Sequence, residues 1–574
     1  MNPAAAEAPL FEQASQAYAQ GQRAQAAQLA RQLLQQSPQH TGAWFLLGSV
    51  LLDDGRSDEA LPCLQAAARL APAHAGILRA LGTAYFNLRQ WPEAAREFDL
   101  ALHHGPADAG LLNNFGLALK ELGDIEASLD AFRQALQLDS RNASVYNNLA
   151  ITLNRVHDYA AAIDAYRHSV ELEPRNVAVL SNLAVMLEQT NRLDEAEEVL
   201  AQALILEPRH SILALVAAKC ARRRDHPDAA IPRLEDALQH PKLGIDTRRS
   251  LEFELARNYD LLGDTDKAYH HFELGNRLSL NLWPELAGGA DIYLAELDRL
   301  LAVCTPAWLR ALPPAPRTPT APQIAFLVSF PRSGTTLMDT FLDAHPQVKV
   351  LEEEPWMEHT IDRVRALPRG YPHAMGDLDA AATTELQAAY LKPVLRAAPA
   401  SAGTIVVDKN PFLSAHGAFI QSIIPDARYI FALRHPCDVV LSCFMQPFGH
   451  NPILANFLSL ESSAHTYRRV MDLWFRYRDS LPLQVHEVRY EQLVGDTPAT
   501  LHSLLDFLGL KWADGLADHT AHARKRGRIY TPSYHQVIQP LYDKAINRWK
   551  RYQRHFGAAL EILQPYVERF GYTL

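Results

Sequence analysis

Apolar and small residues recur every 34 positions along the first half of the chain. Within each unit, large apolar side chains occupy positions 4, 7, 11 and 24, whereas small residues occupy positions 8 and 20. This spacing predicts two helices per unit, which approach closely where a small residue of one helix faces a large residue of the other. We count about eight units, which begin at Glu7, Thr41, Ala75, Ala109, Ala143, Val177 and Ser211 and near Arg249.

The pattern changes at about residue 280. Residues 281–312 show a helical spacing of apolar residues, and we expect this helix to cap the array. The stretch 312–322 is so rich in proline that it favours a stiff, extended linker. We therefore assign residues 7–280 to the repeat array, 281–322 to a capping helix and Pro-rich linker, and 323–574 to a second domain.

The second domain alternates short apolar runs of strand length with helical patterns. Such alternation predicts an α/β fold with a parallel sheet. Polar or charged residues follow these runs, namely Arg332, Lys409, Arg434 and Tyr490. Because the carboxyl ends of parallel strands meet at one edge of a sheet, where ligands bind, we expect these residues to share a site. The predicted strands are 324–330, 404–408, 427–433 and 483–490.

The first strand feeds a helical pattern through the loop Pro331-Arg332-Ser333-Gly334-Thr335-Thr336. The first N–H groups of a helix lack partners within the helix, and together with the helix dipole they attract anions. Gly334 permits close backbone approach, Arg332 adds a cation, and Ser333, Thr335 and Thr336 add hydroxyl donors. The lysine of a Gly-x4-Gly-Lys-Ser/Thr loop is absent. The loop alone is equally compatible with an ordinary strand–turn–helix corner.

The composition narrows the function classes. The chain has 574 residues, of which 48% are hydrophobic and 21% are charged, as expected for a folded protein of two or three domains. A net charge of −10 argues against nucleic-acid binding by bulk charge. Five scattered cysteines without a CxxC pair indicate a reducing compartment and no metal site. Neither a signal-peptide pattern nor a long apolar run is visible, so we expect a cytoplasmic protein without a membrane span.

Two segments of the second domain resemble motifs of the sulfotransferases. The loop 331–336 is similar to their 5′-phosphosulfate loop, and 434–444 is similar to their 3′-phosphate segment. The first half resembles the tetratricopeptide repeat. These resemblances imply an all-α tetratricopeptide superhelix followed by an α/β P-loop-like parallel-sheet sulfotransferase domain. They also imply 3′-phosphoadenylyl sulfate (PAPS) as donor substrate, with no metal. Residues from 323 to the end are most similar to tyrosylprotein sulfotransferases and their bacterial repeat-fused relatives.

The resemblance also implies roles for individual residues. Glu353 matches the catalytic base, and Arg332 and Lys409 match the cations at the transferring sulfate. Ser533 matches a residue that assists the transition state. The residues that match donor contacts are Arg332, Ser333, Gly334, Thr335, Thr336, Arg434, Ser442, Tyr490, Ser533 and Arg548.

Several alternatives stay open for the base and the acceptor side. Glu353 lies between Glu352 and Glu354, either of which is an alternative base. The small-molecule sulfotransferases use a histidine base, for which His359 and His416 are weaker candidates. Pro355 stands where the eukaryotic enzymes have arginine, so the acceptor-side contact is open.

The best interpretation is transfer of sulfate from PAPS to a tyrosine of a protein or peptide that the repeats help to hold. Asparagines recur at equivalent first-helix positions, where the repeat family uses them to bind peptide backbone; a solvated groove without a ligand is the alternative. Rival functions are a glycan, lipid or small-molecule sulfotransferase and an interaction scaffold with an inactive sulfotransferase domain. A nucleotide kinase is disfavoured because the loop lacks its lysine. The asparagines are Asn113, Asn114, Asn147, Asn148 and Asn182.

Overall fold

The computed structural model describes residues 3–316, 323–399, 403–517 and 545–574. The chain divides into two compact units, Met1–Cys220 and Ala221–Leu574. Each unit is described separately below. Part of the Pro-rich linker, residues 317–322, lies outside the described residues.

Helices that pack in consecutive pairs build the described part of the first unit. From the second pair onward, the first helix of each pair begins at the predicted start of a repeat. The last helix runs across the boundary between the units. The helices are α1 (Pro3–Ala19), α2 (Arg23–Gln36), α3 (Thr41–Asp53), α4 (Ser57–Leu70), α5 (Ala75–Asn87), α6 (Trp91–His104), α7 (Ala109–Leu122), α8 (Ile125–Leu138), α9 (Ala143–Arg155), α10 (Tyr159–Leu172), α11 (Val177–Gln189), α12 (Leu193–Leu206) and α13 (Ser211–Arg223).

The small residue at position 8 of each repeat sets how closely its two helices approach. A Cβ atom placed on Gly48 would lie 2.6 Å from Leu64, and one placed on Gly82 would lie 2.7 Å from the ring of Phe98. Contacts that short leave no room for a side chain. The close approach predicted from the sequence is therefore confirmed in these repeats.

The second unit begins with helices and continues into the sheet domain. Helix α15 starts four residues before the predicted repeat start near Arg249 and is longer than the first helices of the pairs from α3 to α13, which accounts for the shift in phase. The helices before the sheet are α14 (Pro227–Leu238), α15 (Ile245–Leu261), α16 (Thr265–Leu282), α17 (Leu286–Val303) and α18 (Pro306–Arg310).

Five parallel strands form the described sheet, in the order β2-β3-β1-β4-β5. The four predicted strands are present, and β2 is an addition that the sequence analysis missed. Lys349 of β2 is exposed at the sheet edge, so this strand lacks the continuous apolar run that identifies the buried strands. The predicted fold class, a tetratricopeptide superhelix followed by a parallel-sheet α/β domain, is confirmed. The strands are β1 (Gln323–Val328), β2 (Val348–Glu352), β3 (Ile405–Lys409), β4 (Arg428–Leu433) and β5 (Gln484–Arg489).

Helices cover both faces of this sheet, as parallel strands require. Short 3-10 helices span His373–Asp377, Pro411–His416, Leu454–Phe457, Asp514–Ala517 and Arg548–His555. The α-helices are α19 (Thr335–Asp343), α20 (Trp356–Arg365), α21 (Ala380–Ala397), α22 (Gly417–Ile423), α23 (Pro436–Phe444), α24 (Leu460–Ser480), α25 (Tyr490–Gly495), α26 (Thr497–Leu508) and α27 (Ala558–Arg569).

Helix α17, which the sequence analysis expected to cap the repeats, packs against α24 of the sheet domain. Arg469 of α24 pairs with Asp298 of α17 at 2.7 Å, and Arg476 donates to the carbonyl oxygen of Cys304 at 3.3 Å. Among the described helices, none has both the length and the apolar character that crossing a bilayer requires.

The helix contact at Gly82 generates a stability prediction. We expect Gly82→Ala to lower the free energy of unfolding by about 1 to 2 kcal/mol, because the new methyl group overlaps the Phe98 ring. The double variant Gly82→Ala/Phe98→Leu should recover most of this loss, since it installs the Ala and Leu that the chain has at the equivalent positions 184 and 200. Thermal unfolding measures both variants. A single variant as stable as the wild type would contradict the predicted contact.

Candidate active site

The residues predicted to share a site lie at the carboxyl edge of the sheet. Arg332 follows β1, Lys409 ends β3, Arg434 follows β4 and Tyr490 follows β5. Glu353 follows the edge strand β2. Because β1 lies between β3 and β4, the loop after β1 has the lysine on one side and Arg434 on the other.

The loop after β1 has a strained backbone that presents the start of α19. Arg332 has φ 71°, and Gly334 has φ 97° as the residue that precedes the helix. Gly334, the residue before the helix, has no side chain that could cap the first turn, and the N–H groups of a helix start attract anions. A Cβ atom at Gly334 would lie 2.7 Å from Tyr490, which explains why glycine is required there. Ser333, Thr335 and Thr336 are buried beside it.

Two arginines connect this loop to the neighbouring segments. Arg332 Nε donates to Ser442 Oγ at 3.2 Å, which joins the loop to α23. Arg434 Nη1 donates to the carbonyl oxygen of Arg332 at 3.1 Å, and its Nη2 donates to that of Ala545 at 2.6 Å. The guanidinium also lies 4.9 Å from the Tyr490 ring. Burial raises the pKa of Tyr490, although the charge of Arg434 opposes this shift.

The Nε atom of Arg434 is buried and has no hydrogen-bond partner among the residues that the structure describes. A buried donor without a partner is costly and is uncommon in folded proteins. An anionic ligand group at this edge of the sheet would supply the missing acceptor. The donor set around Arg434 therefore fits a phosphate group.

Lys409 is completely buried and is surrounded by carboxylates. Its Nζ lies 2.8 Å from Glu353 Oε1, 3.3 Å from Glu352 Oε1 and 3.6 Å from Asp339 Oδ2. Burial alone would lower the pKa of the ammonium, but the charges of Asp339, Glu353 and Glu352 outweigh it and raise the pKa. Lys409 is therefore a permanent cation at neutral pH.

Among the three adjacent glutamates, Glu353 has the geometry best suited to a base. Its side chain is 48% exposed while it contacts Lys409, whereas the side chain of Glu352 is only 9% exposed. Glu354 forms no ion pair with Lys409 within the described part of the chain. The backbone of Glu353 has φ 54°, and its N–H donates to the carbonyl oxygen of Lys409 at 2.8 Å. This arrangement fixes the carboxylate between the lysine and solvent.

A second buried acid precedes the lysine. Tyr390 donates its hydroxyl to Asp408 Oδ2 at 2.7 Å, and Asn410 donates to Glu358 Oε1 at 2.5 Å. Burial raises the pKa of Asp408 to about 7, with the Tyr390 hydrogen bond opposing the shift and Glu358 adding to it. Adjacent residues of a strand point to opposite faces, so Asp408 and Lys409 lie on different sides of the sheet.

The remaining predicted residues have the following positions. Arg548 pairs with Asp260 of α15 at 2.5 Å. His416 is buried and bonded to Tyr371 at 2.8 Å, and burial lowers its pKa to about 4, whereas His359 is exposed. Ser533 lies outside the described residues. Asp339 was not predicted from the sequence; its signal was an acidic residue one turn into α19, with the apolar Met338 before it and Phe341 after it.

Comparison with known proteins places two kinds of domain in the chain. Residues 323–514 match the model of a sulfotransferase family, described as "Sulfotransferase family". Tetratricopeptide-repeat models match residues 11–75, 49–110, 90–155 and 153–220.

Individual relatives are distant. An uncharacterized protein of Aquifex aeolicus (strain VF5) is 26% identical over 352 residues, which are 59% of this chain and 44% of that protein. The chain thus spans less than half the length of that relative. Protein-tyrosine sulfotransferase 1 of Danio rerio is 27% identical over 271 residues, 43% of this chain and 72% of that protein. A solved structure of YrrB, a TPR protein with an unusual peptide-binding site, is 18% identical, with a TM-score of 0.29, and covers 33% of this chain and 96% of that one.

The carboxylates around Lys409 make its replacement costly. We expect Lys409→Met to lower the free energy of unfolding by about 3 kcal/mol at pH 7.5, because it removes the buried ammonium group that pairs with the carboxylates of Asp339 and Glu352. Denaturant unfolding measures the loss. The control Lys392→Met replaces an exposed lysine and should change the free energy of unfolding by less than about 0.5 kcal/mol. An equal loss in both variants would contradict the stabilising role of the buried Lys409 ion pairs.

The raised pKa of Asp408 predicts a pH dependence of stability. The folded carboxyl titrates near pH 7 instead of 3.8, so between these values the folded state holds a proton that the unfolded state has released. Stability should therefore fall as the pH rises through this window. Asp408→Asn keeps an acceptor for the Tyr390 hydroxyl and removes the titrating carboxyl group. The stability of this variant relative to the wild type should therefore increase up to about pH 7. Thermal unfolding across pH 4 to 8 tests this, with the exposed Asp506→Asn as control. Parallel profiles for the wild type and Asp408→Asn would contradict it.

Proposed function

The chain combines tetratricopeptide repeats with a sulfotransferase-family domain, and we propose that it moves the sulfuryl group of PAPS to a hydroxyl acceptor. One observation carries this proposal. The start of α19 after Gly334, the arginines Arg332 and Arg434, and the Lys409–Glu353 pair meet at one edge of the sheet. This edge combines an anion site with a cation and an accessible carboxylate.

In this proposal the donor is held by its two phosphate ends. The 5′-phosphosulfate is bound by the N–H groups and hydroxyls of Ser333, Gly334, Thr335 and Thr336. The 3′-phosphate and the nucleotide are bound by Arg434, Ser442 and Tyr490. The Nε atom of Arg434, which has no hydrogen-bond partner within the described part of the chain, supports a ligand there. Ser533 and Arg548 complete the proposed set by resemblance. When bound, PAPS supplies a sulfuryl group already attached to a phosphate leaving group.

The side chains at the edge have complementary tasks. Glu353 accepts the proton of the acceptor hydroxyl as its oxygen forms the new bond to sulfur. Arg332 and Lys409 stabilise the charge that develops on the bridging oxygen as the bond between sulfur and that oxygen breaks. The permanent charge of Lys409 suits this task, because the neighbouring carboxylates keep it protonated. No metal is part of the proposal.

A tyrosine of a protein or peptide is our proposed acceptor. The protein-tyrosine sulfotransferases among the relatives support it, with identities of 24% to 27%. The asparagines of the first unit also support it, because they line up across repeats: Asn148 donates to Asn113 at 2.8 Å and Asn182 to Asn147 at 3.3 Å. Each amide has further donor and acceptor capacity for a peptide backbone. All five cysteines are buried, and none of them forms a disulfide within the described part of the chain, which favours a cytoplasmic location.

The base assignment provides the test. We expect Glu353→Gln to reduce transfer from labelled PAPS by roughly 100-fold or more, because the hydroxyl loses its proton acceptor. Its affinity for the product, adenosine 3′,5′-bisphosphate, should stay close to that of the wild type. The acceptor panel contains a tyrosine peptide, a simple phenol and a glycan.

Glu354→Gln is the matched control and should retain most of the activity, since Glu354 forms no ion pair with Lys409 within the described part of the chain. Full activity of Glu353→Gln, or a comparable loss in Glu354→Gln, would refute the assignment. If only the glycan becomes labelled, the acceptor is a glycan and not a tyrosine. Bisphosphate binding without transfer to any acceptor would favour an inactive domain on a repeat scaffold.

A further inference from the structure

A C-terminal segment, residues 545–555, is fastened to helix α15 at a single acidic residue. Asp260 of that helix pairs with Arg548 at 2.5 Å and with Arg551 at 3.2 Å, and it accepts the hydroxyl of Tyr552 at 2.6 Å. Asp260 is only 5% exposed. A buried carboxylate needs such partners to offset the loss of water, so the three side chains and Asp260 hold one another in place.

The other end of the same segment contacts the proposed donor site. The carbonyl oxygen of Ala545 accepts a hydrogen bond from Arg434 at 2.6 Å. Asp438 of α23 accepts the N–H groups of Asn547 and Trp549, each at 2.8 Å. Only two residues separate Ala545 from Arg548, so a displacement of Arg548 would also displace the oxygen that orients Arg434.

Helices α15 and α16 reach the donor site by a second route. Asn276 of α16 donates to the carbonyl oxygen of Phe444 at 2.9 Å, at the end of the helix that carries Ser442. Tyr269 stacks on both Phe444 and His555, with ring centroids 5.1 and 4.3 Å apart. Helices α15 and α16 therefore support both the segment that contacts Arg434 and the helix that carries Ser442.

We propose that Asp260 is a positioning residue for the donor, which acts through residues 545–552 to aim Arg434 at the 3′-phosphate. This inference rests on the proposed function and extends it to a helix that precedes the sheet by more than 60 residues of sequence. It assigns helices α15 and α16 a role in donor affinity as well as in the repeat architecture. Asp260 itself does not touch the donor.

The test measures binding of two nucleotides by the full-length protein. We expect Asp260→Asn to weaken binding of adenosine 3′,5′-bisphosphate roughly tenfold, because a misplaced contact loses much of its interaction. Binding of adenosine 5′-monophosphate, which lacks the 3′-phosphate, should change by less than about twofold. A general loss of structure would weaken both ligands, so their difference isolates the positioning role.

Three further variants sharpen the test. Tyr552→Phe removes one bond to Asp260 and should weaken bisphosphate binding in the same direction by a smaller factor, and it serves if Asp260→Asn is poorly folded. Asp266→Asn breaks the pairs with Arg554 and His555 on the same segment, but its side chain is 58% exposed and binding should not change. In an Arg434→Ala background, Asp260→Asn should weaken bisphosphate binding by a smaller factor than in the wild type, because only Arg548, the other proposed donor contact, still depends on Asp260.

The outcomes separate the two proposals. If the wild type binds the bisphosphate and Asp260→Asn binds it equally well, the positioning role is wrong. The same follows if both nucleotides weaken equally, or if the losses from Asp260→Asn and Arg434→Ala are additive. If the wild type does not bind the bisphosphate, the proposed function fails, and this inference fails with it.

Discussion

The charge of Lys409 has to be maintained inside the protein, and most of the candidate site follows from that constraint. An ammonium group without solvent contact loses its proton unless carboxylates surround it. Those carboxylates come from the first turns of α19 and from the end of β2. The loop after β1, the edge strand and β3 are therefore tied together at one point. The same requirement brings Glu353, the most exposed of the three carboxylates, into contact with the cation.

Arg434 lies on the other side of β1. It joins the loop to Ala545 by donating to two carbonyl oxygens, and its Nε atom has no hydrogen-bond partner among the described residues. Lys409 and Arg434 thus lie on either side of a helix start in a chain whose net charge is −10. This placement follows from the sheet topology, because neighbouring strands β3, β1 and β4 bring these groups together.

The sequence predicted what depends on regular spacing. The 34-residue period located the helix pairs, and apolar runs located four of the five described strands, because burial imposes a repeating pattern on local sequence. The edge strand β2 was not predicted because Lys349 interrupts its apolar character. The roles of three aspartates, Asp339, Asp408 and Asp260, were not predicted for another reason, since each acts through a partner that is distant in the sequence. Such pairings form only in the folded chain, so no local sequence pattern indicates them.

Calorimetric titration of the wild-type protein with adenosine 3′,5′-bisphosphate, compared with ATP at the same ionic strength, tests the central claim most directly. We predict saturable one-to-one binding of the bisphosphate and much weaker binding of ATP, because the proposed function places a 3′-phosphate beside Arg434 and the loop after β1 lacks the lysine of a nucleotide-triphosphate loop. Absence of bisphosphate binding, or tighter binding of ATP, would contradict the account and favour a scaffold or a kinase-like function.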